Sequence, residues 1–188
     1  MNYSKKKKTV INGCEASGPL ETAVSRAIRS KLGVAKAEFY WIDLKEKKLQ
    51  FCRACDVCQV KDPGTCAFHD GLNEILEQYL VSRMVIIITP VLFGCFNSLT
   101  KNFIDRTEPL FLPYQVLHNG KTIMKKRYER YPDVLCIGIS EQHNANCKSA
   151  FLDFISNCNL CLASENFETQ VISDRSDVDK LSTCLKRA

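Results

Sequence analysis

No apolar run in this sequence is long enough to cross a membrane. The best, Met84-Val85-Ile86-Ile87-Ile88, falls far short of the roughly 20 residues that a helical span needs. Lys5 to Lys8 are followed by only Val10-Ile11, too little apolar chain for a signal peptide, so secretion is not expected. No basic face interleaved with aromatics appears. The net charge of +5 and the Lys5–Lys8 run therefore read as a solvated terminus and not as a nucleic-acid surface. His69, His118 and His143 are scattered and draw no catalytic dyad. There is no internal repeat, no low-complexity linker and no dedicated nicotinamide fingerprint. What remains is a cytoplasmic globular protein, expected as a single domain over residues 1–188.

Cysteine, by contrast, is abundant. Eleven thiols without a secretion signal read as reduced side chains, and the odd count agrees. Four of them, Cys52, Cys55, Cys58 and Cys66, fall within fifteen residues, in the run CRACDVCQVKDPGTC. The spacing C-x2-C-x2-C-x7-C lets thiols converge while the backbone wraps a centre. That compact triple favours a [4Fe–4S] cluster, because structural zinc more often uses two separated knuckles. Zinc and free or redox-active thiols remain alternatives. Cys158 and Cys161 form a C-x2-C inside an apolar helical stretch and read as buried structural residues. Cys14 falls before a helix, where its pKa can drop.

Hydrophobic patterning gives five strands: Lys8–Asn12, Glu38–Leu44, Met84–Thr89, Asp133–Ile139 and Phe167–Ile172. Pro90 is expected to stop the third. Helices are expected from Pro19 to Gly33, from about Asp70, after a cap at Asn97 or Ser98, over Ala150–Leu162, and over Asp177–Lys186. Pro109 to Pro132 reads as irregular, with a turn at Asn119-Gly120. Strands alternating with helices predict a doubly wound parallel α/β sheet, with ligands at the C-terminal strand edge.

Three loops should meet at that edge. Gly13 to Pro19, opening a helix, suits phosphate, with Ser17 and Thr22 as added hydroxyl donors. A plain turn is the alternative, and the carboxylates of Glu15 and Glu21 oppose an anion. Thr89-Pro90-Val91-Leu92-Phe93-Gly94 is rigid and apolar, and can lie along a flat ring or simply pack in the core. Gly138 to Gln142, including Ser140, is the third. Lys101 and Arg106 read as a solvated helix face.

The segment Thr89–Gly94, with Ser98-Leu99-Thr100-Lys101-Asn102-Phe103-Ile104-Asp105-Arg106, resembles the flavodoxin-like NADPH-dependent FMN reductase family and its T-P-V-Y-F-G…S…L-K-x-F-I-D-R pattern. The cysteine run followed by Asp70 resembles that family's iron–sulfur flavoprotein branch. The resemblance covers roughly residues 8 to 140. It implies a three-layer flavodoxin-like fold and an FMN-dependent oxidoreductase or electron-transfer protein. Thr89, Pro90, Val91, Leu92, Phe93 and Gly94 would hold the isoalloxazine, with Gly138 and Ser140 nearby. Gly13, Ser17 and Thr22 would hold the phosphate, and Cys52, Cys55, Cys58 and Cys66 a [4Fe–4S] cluster. It further implies NAD(P)H or a ferredoxin-type donor and a homo-oligomer, dimer or tetramer. The chain departs from the pattern where Cys14, Glu15 and Ala16 replace the usual G-S-x-R, and where Leu92 replaces an aromatic. Those departures support a rival reading, a metal-stabilised or interaction protein that has lost FMN.

Overall fold

The computed structural model describes residues 7–15, 18–34, 39–118, 120–141, 145–164 and 166–187; side chains at 34, 158–160 and 182–187 are outside that description. Ser17, Asn119 and Gln142 therefore lie outside the described residues. Along the chain run β1 (Lys8–Asn12), α1 (Pro19–Val34), β2 (Phe39–Asp43), α2 (Leu44–Lys47), α3 (Val57–Val60), α4 (Leu72–Val81), β3 (Met84–Leu92) and β4 (Cys95–Phe96). There follow α5 (Ser98–Asp105), a 3-10 turn at Glu108–Leu110, β5 (Phe111–His118), β6 (Lys121–Lys126), β7 (Asp133–Ile139), α6 (Ala145–Leu162), β8 (Phe167–Ile172) and α7 (Arg175–Arg187).

The parallel sheet has the order β2-β1-β3-β7-β8, with β4 folded back antiparallel on β3. Alternation along each strand divides the core in two. Val10, Ile86, Ile88, Leu135 and Ile137 face α1 and α7, meeting Val24, Ile28 and Leu181. Ile11, Val85, Ile87, Val134 and Cys136 face the other way, against Ile75 and Tyr79 of α4, Phe103 of α5, and Phe151 and Ile155 of α6. Both faces are covered, so the central strands read as unbroken apolar runs.

Two sequence expectations are corrected. β3 does not stop at Pro90 but continues to Leu92. The register of β1 on β3 ends at Asn12–Ile88, so beyond it β3 is half open and tolerates a residue without N–H. Residues 109–132 are not irregular either. They carry the β5–β6 hairpin, with a register shift between Phe111 and Gln115 that accommodates Pro113. Three prolines in that stretch hide the strands from propensity.

Candidate functional site

The cysteine segment leaves α2 and wraps onto the far end of α5. Cys52, Cys55, Cys58 and Cys66 line one cavity of about 330 Å³, together with Arg53, Phe68, Arg106 and Glu108. Cys52 and Cys55 are exposed, Cys58 and Cys66 half-buried. Ala54 and Asp56 hold φ of 48° and 55°, a left-handed backbone that turns the chain sharply between the first three cysteines. α3 follows, and Gly64 at φ 90° donates its N–H to Cys58 O at 2.9 Å. Cys66 is fixed by Asn73, which accepts from its N–H at 2.8 Å and donates to its carbonyl at 2.9 Å.

Arg106 holds this loop together. It is 2% exposed, not on a solvated face as its helical position suggests. Its Nη1 donates to Asp70 and to Gln50 O (2.9 Å), and its Nη2 donates to Cys66 Sγ at 3.0 Å. Its buried Nε has no partner among the described residues. Burial opposes the charge on Arg106, but the bonds to Asp70 and Cys66 outweigh it and raise the pKa. Burial likewise opposes the Asp70 carboxylate, and Arg106 with the Gln50 N–H still pulls its pKa down. Burial, then Cys66, Glu108 and Cys55, push the Cys58 thiol up to about 11. Thiols that repel each other in this way are the donor set a cationic centre relieves. Among the described residues no three His, Cys, Asp or Glu side chains already stand at ligating distance. Coordination would therefore require the thiols to draw closer together. Lys101, by contrast, is exposed and pairs with Asp105 on its own helix.

The second region lies at the C-terminal strand edge. Pro90, Val91, Leu92 and Phe93 face Ile139, Ser140, Glu141, Cys147 and Glu21 across a cavity of about 310 Å³. Leu92 pairs with Cys95, so Phe93-Gly94 is a two-residue hairpin turn. Both residues have positive φ, 50° and 74°, as a primed turn demands. A Cβ on Gly94 would lie 2.7 Å from Ala150 Cβ. Phe93 is 99% exposed, a bulky ring held at the rim in a conformation such residues seldom adopt.

The remaining sequence candidates sit further in. Thr89 is buried and donates to Pro90 O at 3.1 Å. Gly138 lies within β7, where a Cβ would meet Phe151 at 2.6 Å and Val91 at 2.9 Å. Gly13 donates to Ile88 O at 2.8 Å, and a Cβ there would lie 2.0 Å from Thr100 Oγ1. Ser140 lines the cavity, while Thr22 faces a separate one beside α1.

Carboxylates stand at the start of α1 among the described residues. The Gly18 N–H donates to Glu21 Oε2 at 3.1 Å, and a Cβ on Gly18 would lie 3.0 Å from Glu141 Oε1. Glu15 accepts from Ser98 Oγ at 3.2 Å. The apolar wall suits a flat ring; in the β1–α1 loop, whose residues 16 and 17 lie outside the described residues, the carboxylates of Glu15 and Glu21 stand close by. Cys14 is no activated thiol: burial foremost, then Glu21, raises its pKa. Cys161 proves exposed, not buried, and the Cys158 side chain lies outside the described residues.

A five-stranded parallel sheet in this order, helices on both faces, with an apolar loop at the C-terminal edge of its central strand, defines a flavodoxin-like α/β protein. The chain belongs to the NADPH-dependent FMN reductase family, whose model matches residues 7–167. Two iron–sulfur flavoproteins of Methanocaldococcus jannaschii are similar to it. One is 33% identical over 79 residues, which is 42% of this chain and 40% of that protein. The other is 36% identical over 88 residues, 47% and 44% respectively. The matched stretch is thus under half the length of either relative. An azoreductase from Bacillus anthracis shares the fold with a TM-score of 0.72 at 9% identity, covering 97% of this chain and 100% of that one.

Proposed function

We propose that the protein is an FMN-dependent oxidoreductase or electron-transfer flavoprotein whose flavin ring lies against Pro90–Phe93. The observation that carries this reading is the primed turn at Phe93-Gly94. It keeps an exposed aromatic side chain at the mouth of an apolar strand-end cavity, in a backbone that costs free energy to maintain. Membership of a family named for FMN and NADPH supports it.

FMN would supply the hydride or single-electron chemistry, and the chain its orientation and surroundings. Pro90, Val91, Leu92 and Ile139 would exclude water from one side of the ring. The Val91–Phe93 loop would lie along its edge, and Ser140 would line the opposite wall. In the cysteine cavity, Cys52, Cys55, Cys58 and Cys66 would hold a [4Fe–4S] cluster. Arg106 would donate to the sulfur of Cys66 and offset part of the negative charge of a thiolate-bound centre. The resemblance to iron–sulfur flavoproteins supports that choice over zinc. We expect NAD(P)H or a ferredoxin-type carrier as donor, a cytoplasmic location, and a homo-oligomer.

Titrating flavin-free protein with FMN tests the central claim. Saturable quenching of flavin fluorescence at micromolar concentrations is expected; no change at high micromolar FMN sinks it. A second reading, a scaffold without flavin, is favoured by one observation, the placing of Glu21 and Glu141 at Gly18. The same titration separates the two.

A further inference from the structure

The four thiols of the cysteine cavity stand in unequal surroundings. Among the described residues, Cys66 Sγ alone of the four accepts a hydrogen bond from a charged side chain, Arg106 Nη2 at 3.0 Å. Cys52 Sγ accepts only the neutral Ala54 N–H, at 3.4 Å. Cys66 is also the one whose main chain Asn73 brackets on both sides. One corner of the cavity is therefore built by the polypeptide alone.

The guanidinium at that corner is fixed from several sides. Arg106 is buried, its Nη1 donates to Gln50 O at 2.9 Å and to the Asp70 carboxylate, and its Cζ lies 5.2 Å from the centre of the Phe68 ring. Asp70 is pinned in turn. The Gln50 N–H donates to its Oδ2 at 2.7 Å, and the Leu72 N–H to its Oδ1 at 3.3 Å. Charge thus runs from carboxylate to guanidinium to sulfur, where little water screens it. The cation touches the sulfur, and the anion sits on the other arm of the same guanidinium.

We propose that Arg106 and Asp70, acting through Cys66 and with opposite signs, set the electron density of the metal centre held by Cys52, Cys55, Cys58 and Cys66, and with it the centre's reduction potential. The inference rests on the metal reading of these four thiols and deepens it. An N–H donated to a ligating thiolate draws charge off the sulfur. It favours the state with one more electron, taken from the nicotinamide or ferredoxin-type donor. Arg106 thereby raises the potential. The Asp70 carboxylate offsets part of that cation and lowers it. If the two residues were a structural ion pair only, losing either would loosen the same loop in the same way. As an electrostatic device they act against each other.

The test reconstitutes wild type, Asp70→Asn, Arg106→Gln and the double variant anaerobically with iron and sulfide. Midpoint potentials are then measured by redox titration followed in visible absorption. The expected order, highest first, is Asp70→Asn, wild type, double variant, Arg106→Gln. Both single variants break one buried pair, so lost packing would move them in one direction, and only charge separates them. The double variant sets two neutral amides in place of the pair, which a fold tolerates better than a lone buried charge. It stays readable where a single variant does not fold, and it lies below wild type because Cys66 has lost its charged donor. Co(II) on the same thiols gives a second readout. The thiolate-to-metal charge-transfer band should move to higher energy in Asp70→Asn and to lower energy in the other two variants. Single variants that shift the same way, or a double variant at or above wild type, overturn the proposal. A wild type that takes Co(II) but builds no cluster removes the iron–sulfur assignment, and the Co(II) bands then decide in the same order. A wild type that takes neither removes the metal reading and this inference with it.

Discussion

The pairing of Asp70 with Arg106 sets the strongest demand on single side chains. The side chains are 11% and 1% exposed, and the guanidinium would be left largely uncompensated without the carboxylate. Asp70→Asn should therefore destabilise the fold by about 3–5 kcal/mol, measured by urea denaturation at pH 7. The pH dependence has a definite sign. The folded protein holds the Asp70 carboxyl below its ordinary 3.8, so the contribution is present above that value and lost as pH falls through the folded one. Wild type should lose stability in this acid range with a slope that Asp70→Asn lacks; equal slopes would refute the assignment. Gly94 sets a different kind of demand. At φ 74°, with Ala150 Cβ 2.7 Å from any added Cβ, Gly94→Val should cost about 1–3 kcal/mol. It should also weaken FMN binding by displacing the turn. Wild-type affinity in that variant would separate the turn from the flavin. Of these residues, Gly94 is legible in the sequence through its loop. Arg106 is not: it stands one residue past the end of α5, where an arginine is ordinarily solvated, and only the return of the cysteine loop across α5 buries it.

Among the elements, α5 ties the two regions to one frame. Asn97 caps it, accepting from Thr100 N–H at 3.1 Å, while its Nδ2 donates to Gly13 O at 2.7 Å. The cap was readable from the sequence, but the reach back to Gly13 across 84 positions was not, because it depends on β1 lying beside β3. Asn97→Asp keeps the accepting oxygen and removes the donor, whereas Asn97→Ala removes both. The cap alone is worth about 1 kcal/mol, so thermal unfolding should rank Ala below Asp and Asp below wild type. Equal losses would mean that the link to Gly13 dominates. The strands Lys8–Asn12, Asp133–Ile139 and Phe167–Ile172 match the sequence reading to the residue, since each carries β-branched or aromatic residues over a stretch of strand length. The β5–β6 hairpin escaped it because its side chains are mostly exposed, leaving no alternation to read.

At the scale of the whole molecule, the two regions occupy opposite ends of α5. Ser98, at its start, touches Glu15 beside the strand edge; Arg106, just past its end, lines the cysteine cavity. Eight residues of helix at 1.5 Å each separate them by about 12 Å. Changes at one should therefore leave the other nearly intact. Cys55→Ser should sharply lower the iron taken up during anaerobic reconstitution, yet leave the FMN dissociation constant within about twofold, as expected for sites that do not couple. Cys184→Ser should lower neither. Undiminished iron in Cys55→Ser would remove the cluster assignment and leave the flavin reading standing. The cysteine loop also has anchors that owe nothing to a metal. Arg106 grips Gln50 O and Asp70, Arg127 donates to Cys58 O at 3.3 Å and Gln59 Oε1 at 3.0 Å, and Asn73 brackets Cys66. In many small metal domains, binding and folding are one event, and a chelator denatures the chain. Here the polypeptide has its own scaffold, so removing a metal reconstituted on this loop should leave far-ultraviolet circular dichroism intact. The melting temperature would then drift only with free-metal concentration, as ordinary mass action requires.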